Sequence, residues 1–295
     1  MKPSNLVIYL KVLFCVAVWG GSFIATKVVL LEVSPVTVVW LRFAIGVAIL
    51  GFSVARRRQW AMPGRADLGY FALLGFLGIT FHQWLQSTGL VTAQATTTAW
   101  IIAATPVFIA LLGALFLHEK LGWVRVGGIA LAALGVLLIL TRGNLGQLAQ
   151  GRLVQAPGDW LILISAPNWA IFSVASRRGL ARHPAARMMF FVMVLGWLFT
   201  TILLLSGPGF SEIAHLRLDG WLGVAFLGIC CTGLAYIFWY DALQAIPATR
   251  VGAFLYLEPL VTAVAASFIL REPLLLVSIL GGGVILVGVW LVNRN

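Results

Sequence analysis

Ten apolar stretches run the length of the chain, each followed by a short polar break. They fall near residues 6–27, 34–54, 68–89, 95–117, 122–141, 159–176, 188–206, 220–243, 249–270 and 274–292. A helix needs roughly 20 apolar residues to cross a bilayer, so the pattern predicts ten membrane spans. The breaks carry turn chemistry. Arg56–Asp67 is basic and holds Pro63-Gly64. The longest polar connection, Arg142–Pro157, carries Gly143, Gly146 and Gly151 and leads into Pro157-Gly158, residues suited to turns and linkers. Pro35 and Pro184 stand just ahead of the second span of each half, where a helix start tolerates proline.

The pattern also repeats. Trp19 through Lys27 runs parallel to Trp169 through Arg177 at an offset of 150. Gly75-Phe76-Leu77-Gly78-Ile79 reads against Ala225-Phe226-Leu227-Gly228-Ile229 at the same offset. Further on the offset becomes 153, with Thr105-Pro106 over Glu258-Pro259 and Gly128 and Gly135 over Gly281 and Gly288. Two halves are therefore expected, 1–143 and 159–295, joined by a linker at 144–158. An odd number of spans per half sends the second half into the membrane upside down. The predicted fold class is an all-α integral membrane protein with ten transmembrane helices as two inverted five-helix repeats. Such repeats are the sequence mark of secondary transporters with a site near the bilayer midplane.

Composition agrees with lipid as the solvent. The chain is 61% hydrophobic and 10% charged, with a mean hydropathy of +1.01, whereas soluble domains are about a quarter charged. The net charge of +11 lies in the loops and forms no single patch, so no nucleic-acid partner is expected. With the N-terminus on side one, that side collects 14 Lys and Arg residues. Side two collects five: Lys27, Arg142, Arg152, Arg217 and Arg271, and Arg42 stays inside a span. The positive-inside rule then makes both termini cytoplasmic. The first span is too long for the apolar part of a cleaved signal peptide and has a repeat partner at 159–176. Cys15, Cys230 and Cys231 fall inside spans as small apolar fillers. Neither Cys-x-x-Cys nor His-Glu-x-x-His occurs, so no metal and no cofactor is expected.

Polar groups inside a span are costly and mark candidate sites. The third span holds His82, Gln83 and Gln86, and His82 and Gln86 share a helix face. Trp100 lies in the fourth span, Asn168 and Trp169 in the sixth, and Tyr236 and Trp239 in the eighth. At the offset of 153, Gln83 falls on Tyr236 and Gln86 on Trp239. One half thus offers amides where the other offers rings, which suits a small amphipathic substrate. Trp19 and Trp169 are repeat-equivalent, mid-span positions. Pro106 and Pro259 sit mid-span at matching positions; a packing kink and a hinge both fit. Glu258 is the one carboxylate expected near the membrane centre, a candidate for proton coupling with Arg42 as candidate partner. Asp241 is expected to pair with Arg250. The fifth and tenth spans, rich in glycine, are expected to pack on each other or on a second protomer, so the chain is a monomer or a homodimer.

The opening Trp19-Gly20-Gly21-Ser22-Phe23 with Lys27, then Ser34-Pro35 leading to Leu41-Arg42-Phe43, resembles the EamA family of the drug/metabolite transporter superfamily. So do two proline-to-acidic stretches, Pro106 to His118-Glu119-Lys120-Leu121 and Leu257-Glu258-Pro259 to Arg271-Glu272-Pro273-Leu274. The resemblance covers essentially the whole chain. It departs where the family has a Gly-Glu turn, for this chain has His118-Glu119 and Arg271-Glu272. The paired acids are expected to cap the helix that follows each turn. The resemblance implies ten helices, a central cavity, export from the cytoplasm and residence in a bacterial inner membrane, with the lipid bilayer and a small-molecule substrate as partners.

The expectation is a metabolite exporter working by alternating access, with amino acids, aromatic or large apolar ones first, as substrates. Trp19, Trp100, Trp169, Tyr236 and Trp239 would form aromatic walls. His82, Gln83, Gln86 and Asn168 would hold the polar end. Efflux of lipophilic drugs is the alternative within transport. An intramembrane enzyme would need a nucleophile and base together, and His82 has no Cys, Asp or Glu within one helical turn.

Overall fold

The computed structural model describes residues 5–116, 122–144, 146, 154, 156–246 and 248–293, and every regular element among them is helical. Helices α1 (Asn5–Val29) and α2 (Pro35–Arg56) open the chain. The third span is a composite of α3 (Arg65–Gly75), a π-helical segment (Phe76–Phe81) and α4 (His82–Leu90). The fourth is broken into α5 (Ala95–Ala103) and α6 (Thr105–Phe116), and α7 (Trp123–Leu140) follows. The second half begins with α8 (Pro157–Leu180) and α9 (Ala185–Leu205), then a short α10 (Gly209–Ile213). Its composite span is α11 (Leu218–Ala225), a π-helical segment (Phe226–Leu234) and α12 (Ala235–Ala245). Its broken span is α13 (Ala248–Ala253), a 3₁₀ turn (Phe254–Leu257) and α14 (Glu258–Ile269), and α15 (Leu276–Asn293) closes the chain. The turn at His118-Glu119-Lys120-Leu121 and residues 147–153 of the expected linker lie outside the described residues.

Among the described residues nine stretches are long and apolar enough to cross a membrane: Leu6–Val29, Pro35–Arg56, Arg65–Leu90, Ala95–Leu115, Trp123–Leu140, Ala185–Leu205, Leu218–Ala245, Arg250–Ile269 and Leu276–Asn293. The expected span at 159–176 is not among them. Its helix α8 has 24 residues and so is about 36 Å long. Asp159, Pro167, Asn168 and the Arg177-Arg178 pair make it more polar than the rest.

Between helices in lipid, close packing rather than exclusion of water holds the structure together. α7 and α15 show why their glycines matter. A Cβ on Gly128 would sit 2.7 Å from the Gly288 carbonyl oxygen, and one on Gly135 2.7 Å from that of Gly281. The two backbones therefore touch, and these helices pack on each other. Gly127 and Gly283 face open space instead. Elsewhere Phe43 and Leu50 of α2 pack with Phe71 and Leu74 of α3 and Met188, Met189 and Met193 of α9 in one cluster. Val29, Val38 and Leu41 pack with Leu227, Cys231 and Ala235 in another.

Helix starts are capped by carboxylates from the opposite half. Glu272 accepts hydrogen bonds from the backbone N–H of Ala95 (2.7 Å) and Thr96 (3.0 Å) and from the Thr96 hydroxyl (2.9 Å). It therefore caps α5 rather than the helix that follows it. Glu212 accepts from the Ser34 N–H (2.9 Å) and the Thr37 hydroxyl (2.7 Å) at the start of α2. Glu32 accepts from the Arg217 N–H (2.7 Å) just before α11 and meets the Arg217 guanidinium at 3.5 Å. Negative charge at a helix N-terminus is favourable through the helix dipole.

Two outcomes are expected in detergent. Gly135→Val should lower the thermal midpoint by the equivalent of about 1–3 kcal/mol, the usual cost of overpacking, whereas Gly283→Val should leave it nearly unchanged; differential scanning fluorimetry reads both. Burial works to raise the Glu212 carboxyl, but the Ser34 and Thr37 hydrogen bonds outweigh it and hold the group below the ordinary value of 4.5. Its contribution is complete above pH 4.5 and is lost as pH falls through the lower folded value. Thermal midpoints of the wild type and Glu212→Gln should therefore converge below pH 4.5 and stand apart at pH 7.

Candidate functional site

The two π-helical segments organise the polar interior. Both start at the repeat offset of 150, at Phe76 and Phe226, but the first has six residues and the second nine. The α-helices after them, from His82 and Ala235, are consequently offset by 153. Three extra residues are absorbed in the second wide turn, which explains the change of offset along the sequence. Wide turns of this kind leave backbone carbonyls open to other partners and cluster at functional sites. Asn168 Nδ2 donates to the Leu77 carbonyl at 2.9 Å. The indole N–H of Trp19 donates to the Cys231 carbonyl at 3.0 Å. Each half's first helix thus bonds the wide turn of the other half.

Around these turns the expected residues gather into three neighbouring groups. Trp19 lies against Trp239 with ring centroids 5.0 Å apart and edge-on to Tyr236 at 6.1 Å. Tyr236 continues to Tyr240 at 6.3 Å. The His82 ring packs on Trp169 at 4.7 Å, and Trp169 on Phe172 at 4.8 Å. Between them, Arg42 of α2 donates through Nη1 to the Gln83 amide oxygen (3.1 Å) and through Nε to the Thr232 hydroxyl (3.2 Å). His82, Tyr236 and Cys231 all lie within electrostatic reach of Arg42. Gln86 is half-buried one turn beyond His82, with no hydrogen bond to protein among the described residues.

Trp100 does not join them. It is buried against Gly282 of α15, in a cluster with Ala132, Ile285 and Val289. Pro106 and Pro259 are not interior prolines of continuous helices. Each stands second in a resumed helix, after a turn at Ala104 and after the 3₁₀ turn, where a missing N–H costs little. The chain between α5 and α6 is tightened by hydrogen bonds from Ala104 N–H to the Ile101 carbonyl (3.1 Å) and from Val107 N–H to that of Ala104 (3.0 Å). Glu258, first in α14, makes no ion pair with Arg42 among the described residues; the Arg42 side chain is engaged by Gln83 and Thr232. Asp241 pairs with Lys11 (2.9 Å) and Arg57 (2.8 Å) rather than with Arg250, joining α1, the end of α2 and α12. Lys27 donates to the Leu90 and Ala93 carbonyls (3.3 and 2.5 Å).

Thr232, the wide turns and Pro167 inside α8 were not singled out by sequence. Arg42 was, but as a partner for Glu258 and not as the link between Gln83 and Thr232.

A model of the EamA-like transporter family matches this chain twice, over residues 6–141 and 156–294. The chain belongs to that family. It is a multi-pass membrane transporter rather than an enzyme. An uncharacterized transporter of Archaeoglobus fulgidus is 27% identical over 278 residues, covering 94% of each chain. A probable terminal-alkyne amino-acid exporter of Streptantibioticus cattleyicolor is 28% identical, over 95% of this chain and 91% of its own. A probable amino-acid metabolite efflux pump of Salmonella typhimurium is 26% identical, over 95% and 92%. A solved crystal structure at 20% identity superposes with a TM-score of 0.64, over 98% of this chain and 97% of that one, and shares the fold.

Asn168 gives a test of how the transporter's wide turn is held. Asn168→Leu leaves the Leu77 carbonyl without its bond and should cost about 1–3 kcal/mol of stability. Gln86→Leu, which breaks no protein hydrogen bond, should shift the thermal midpoint much less.

Proposed function

We propose that this transporter exports small amphipathic metabolites, amino acids with aromatic or large apolar side chains first, by alternating access. The observation that carries the reading is the convergence of Trp19, Tyr236 and Trp239 with His82, Trp169 and Gln83 around the wide turns. Rings on one side and amide and imidazole groups on the other match a molecule with one apolar and one polar end. The names of the Streptantibioticus and Salmonella relatives point the same way. Gln86 and Asn168 complete the polar wall in this reading.

In the same proposal α8 is the sixth of ten spans and the half at 159–295 lies inverted against that at 1–143. Both termini face the cytoplasm of a bacterial cell, where the excess of Lys and Arg lies. The broken spans at Pro106 and Pro259 act as hinges, because a resumed α-helix can swing about a short turn that is not α-helical. Glu258 stands at one of these breaks and carries a proton if transport is proton-coupled.

Counterflow in proteoliposomes tests this. Vesicles loaded with unlabelled phenylalanine should accumulate labelled phenylalanine saturably. Trp169→Ala and Gln86→Ala should each weaken exchange about tenfold, as loss of a central contact does. A pH gradient should drive uptake in the wild type and not in Glu258→Gln. Exchange of lipophilic cations that survives Gln86→Ala and fails in Trp169→Ala would instead identify a drug exporter.

A further inference from the structure

Arg42 is 7% exposed and lies on the second span, inside the apolar part of the chain. Its two protein hydrogen bonds go to neutral acceptors, the Gln83 amide oxygen and the Thr232 hydroxyl. No carboxylate comes within ion-pair distance of it among the described residues. A guanidinium has five N–H donors in a planar fork. The Nε donor and one Nη1 donor are engaged; the other Nη1 donor and both on Nη2 have no acceptor among the described residues, and the guanidinium otherwise meets the Phe43 ring, 5.4 Å from its centroid. A cation inside a membrane is costly, and such residues pair with a counter-charge or line a substrate path. Gln83 and Thr232 come from different halves and fix the orientation of the fork without neutralising it.

A second group at the same place is also incomplete. His82, next to Gln83 and within electrostatic reach of Arg42, is 4% exposed, and its Nδ1 has no hydrogen-bond partner among the described residues. Native proteins satisfy nearly all buried polar atoms, so an unmet charge and an unmet ring nitrogen together point to something that binds there. Tyr236 and Trp19 flank one side and Trp169 the other.

We infer that Arg42 is the substrate's anion anchor. The unengaged edge of its guanidinium takes a carboxylate in a charge-assisted, two-bond contact, and His82 orients beside it. The substrates are then carboxylate-bearing amphiphiles, with the apolar end against Trp19, Tyr236 and Trp169. This rests on the transport reading above and adds which chemical group is recognised and by what.

Three probes that differ by one group test it in proteoliposomes: phenylalanine, 3-phenylpropanoate, which lacks the ammonium, and phenylethylamine, which lacks the carboxylate. Phenylalanine and 3-phenylpropanoate should compete for labelled phenylalanine exchange, and phenylethylamine should be at least about 30-fold weaker, the scale for an unpaired buried charge. Gln83→Glu places a carboxylate where Arg42 already bonds an amide oxygen at 3.1 Å. It should keep or raise the thermal midpoint, since the bond becomes an ion pair, and abolish phenylalanine exchange by neutralising the anchor's charge. Arg42→Gln should lose the preference for acids over phenylethylamine. Equal competition by all three probes, or unchanged phenylalanine exchange in Gln83→Glu, would make Arg42 a structural tie and overturn the inference while leaving transport intact. Absence of exchange with every probe in folded wild-type protein would overturn the transport reading and the anchor together.

Discussion

Hydrocarbon forms no hydrogen bonds, so each backbone group freed inside the membrane must find its partner within the protein. This chain frees many. Two spans are broken at Ala104 and at the 3₁₀ turn Phe254–Leu257, and two contain π-helical segments. The break at Ala104 is closed by local bonds, but the wide turns and several helix starts take partners from the other half of the chain. Glu272 caps α5, Glu212 caps the start of α2, and Glu32 meets the N–H of Arg217 ahead of α11. Asn168 and Trp19 bond the carbonyls of the wide turns. Hydrogen bonds to charged groups contribute about 1.5–3 kcal/mol each. The halves that the family model matches separately thus hold each other's irregular backbone in place.

The same dependence gives the interior its chemistry. A regular helix in lipid presents only side chains. A wide turn also presents carbonyls, and the residues that bond them are polar. Trp19 and Asn168 reach the two turns from α1 and α8, and this draws Trp239 and Tyr236 to one flank and His82 and Trp169 to the other. Arg42 then reaches Gln83 of the first half and Thr232 of the second. Any motion that separates the halves must stretch these links, so the polar interior is also where the halves are coupled.

Charge outside the interior is arranged differently. Asp241 is shared by Lys11 and Arg57, in a place where each side chain is only partly buried and where the pairing ties three elements together. Exposed pairs contribute little singly, but one acid between two cations on different helices fixes their spacing. Near the opposite ends of the spans, Lys27 reaches carbonyls at Leu90 and Ala93 and Glu272 caps α5 beside them.

Nine of the expected spans were legible in the sequence because bilayer thickness imposes a length on every apolar run, whatever its contacts. The repeat was legible because matched residues keep their spacing, and the glycine pairs at 128 and 135 and at 281 and 288 announced close backbones. The residues that gather around the wide turns were legible as types, since a His, an amide or an Arg in lipid needs a reason. Their partners were not. Asp241 with Lys11, Glu272 with α5 and Arg42 with Thr232 join positions roughly 180 to 230 residues apart, and several acceptors compete on equal terms until the helices are packed. Trp100 looked like its neighbours by composition, yet the close approach of α15 at Gly282 placed it outside the cluster. The wide turns have no compositional signature at all. Apolar length and repeat spacing are local properties and belong to the sequence; which buried groups satisfy one another is a property of the packed fold, because it depends on distances that only packing sets.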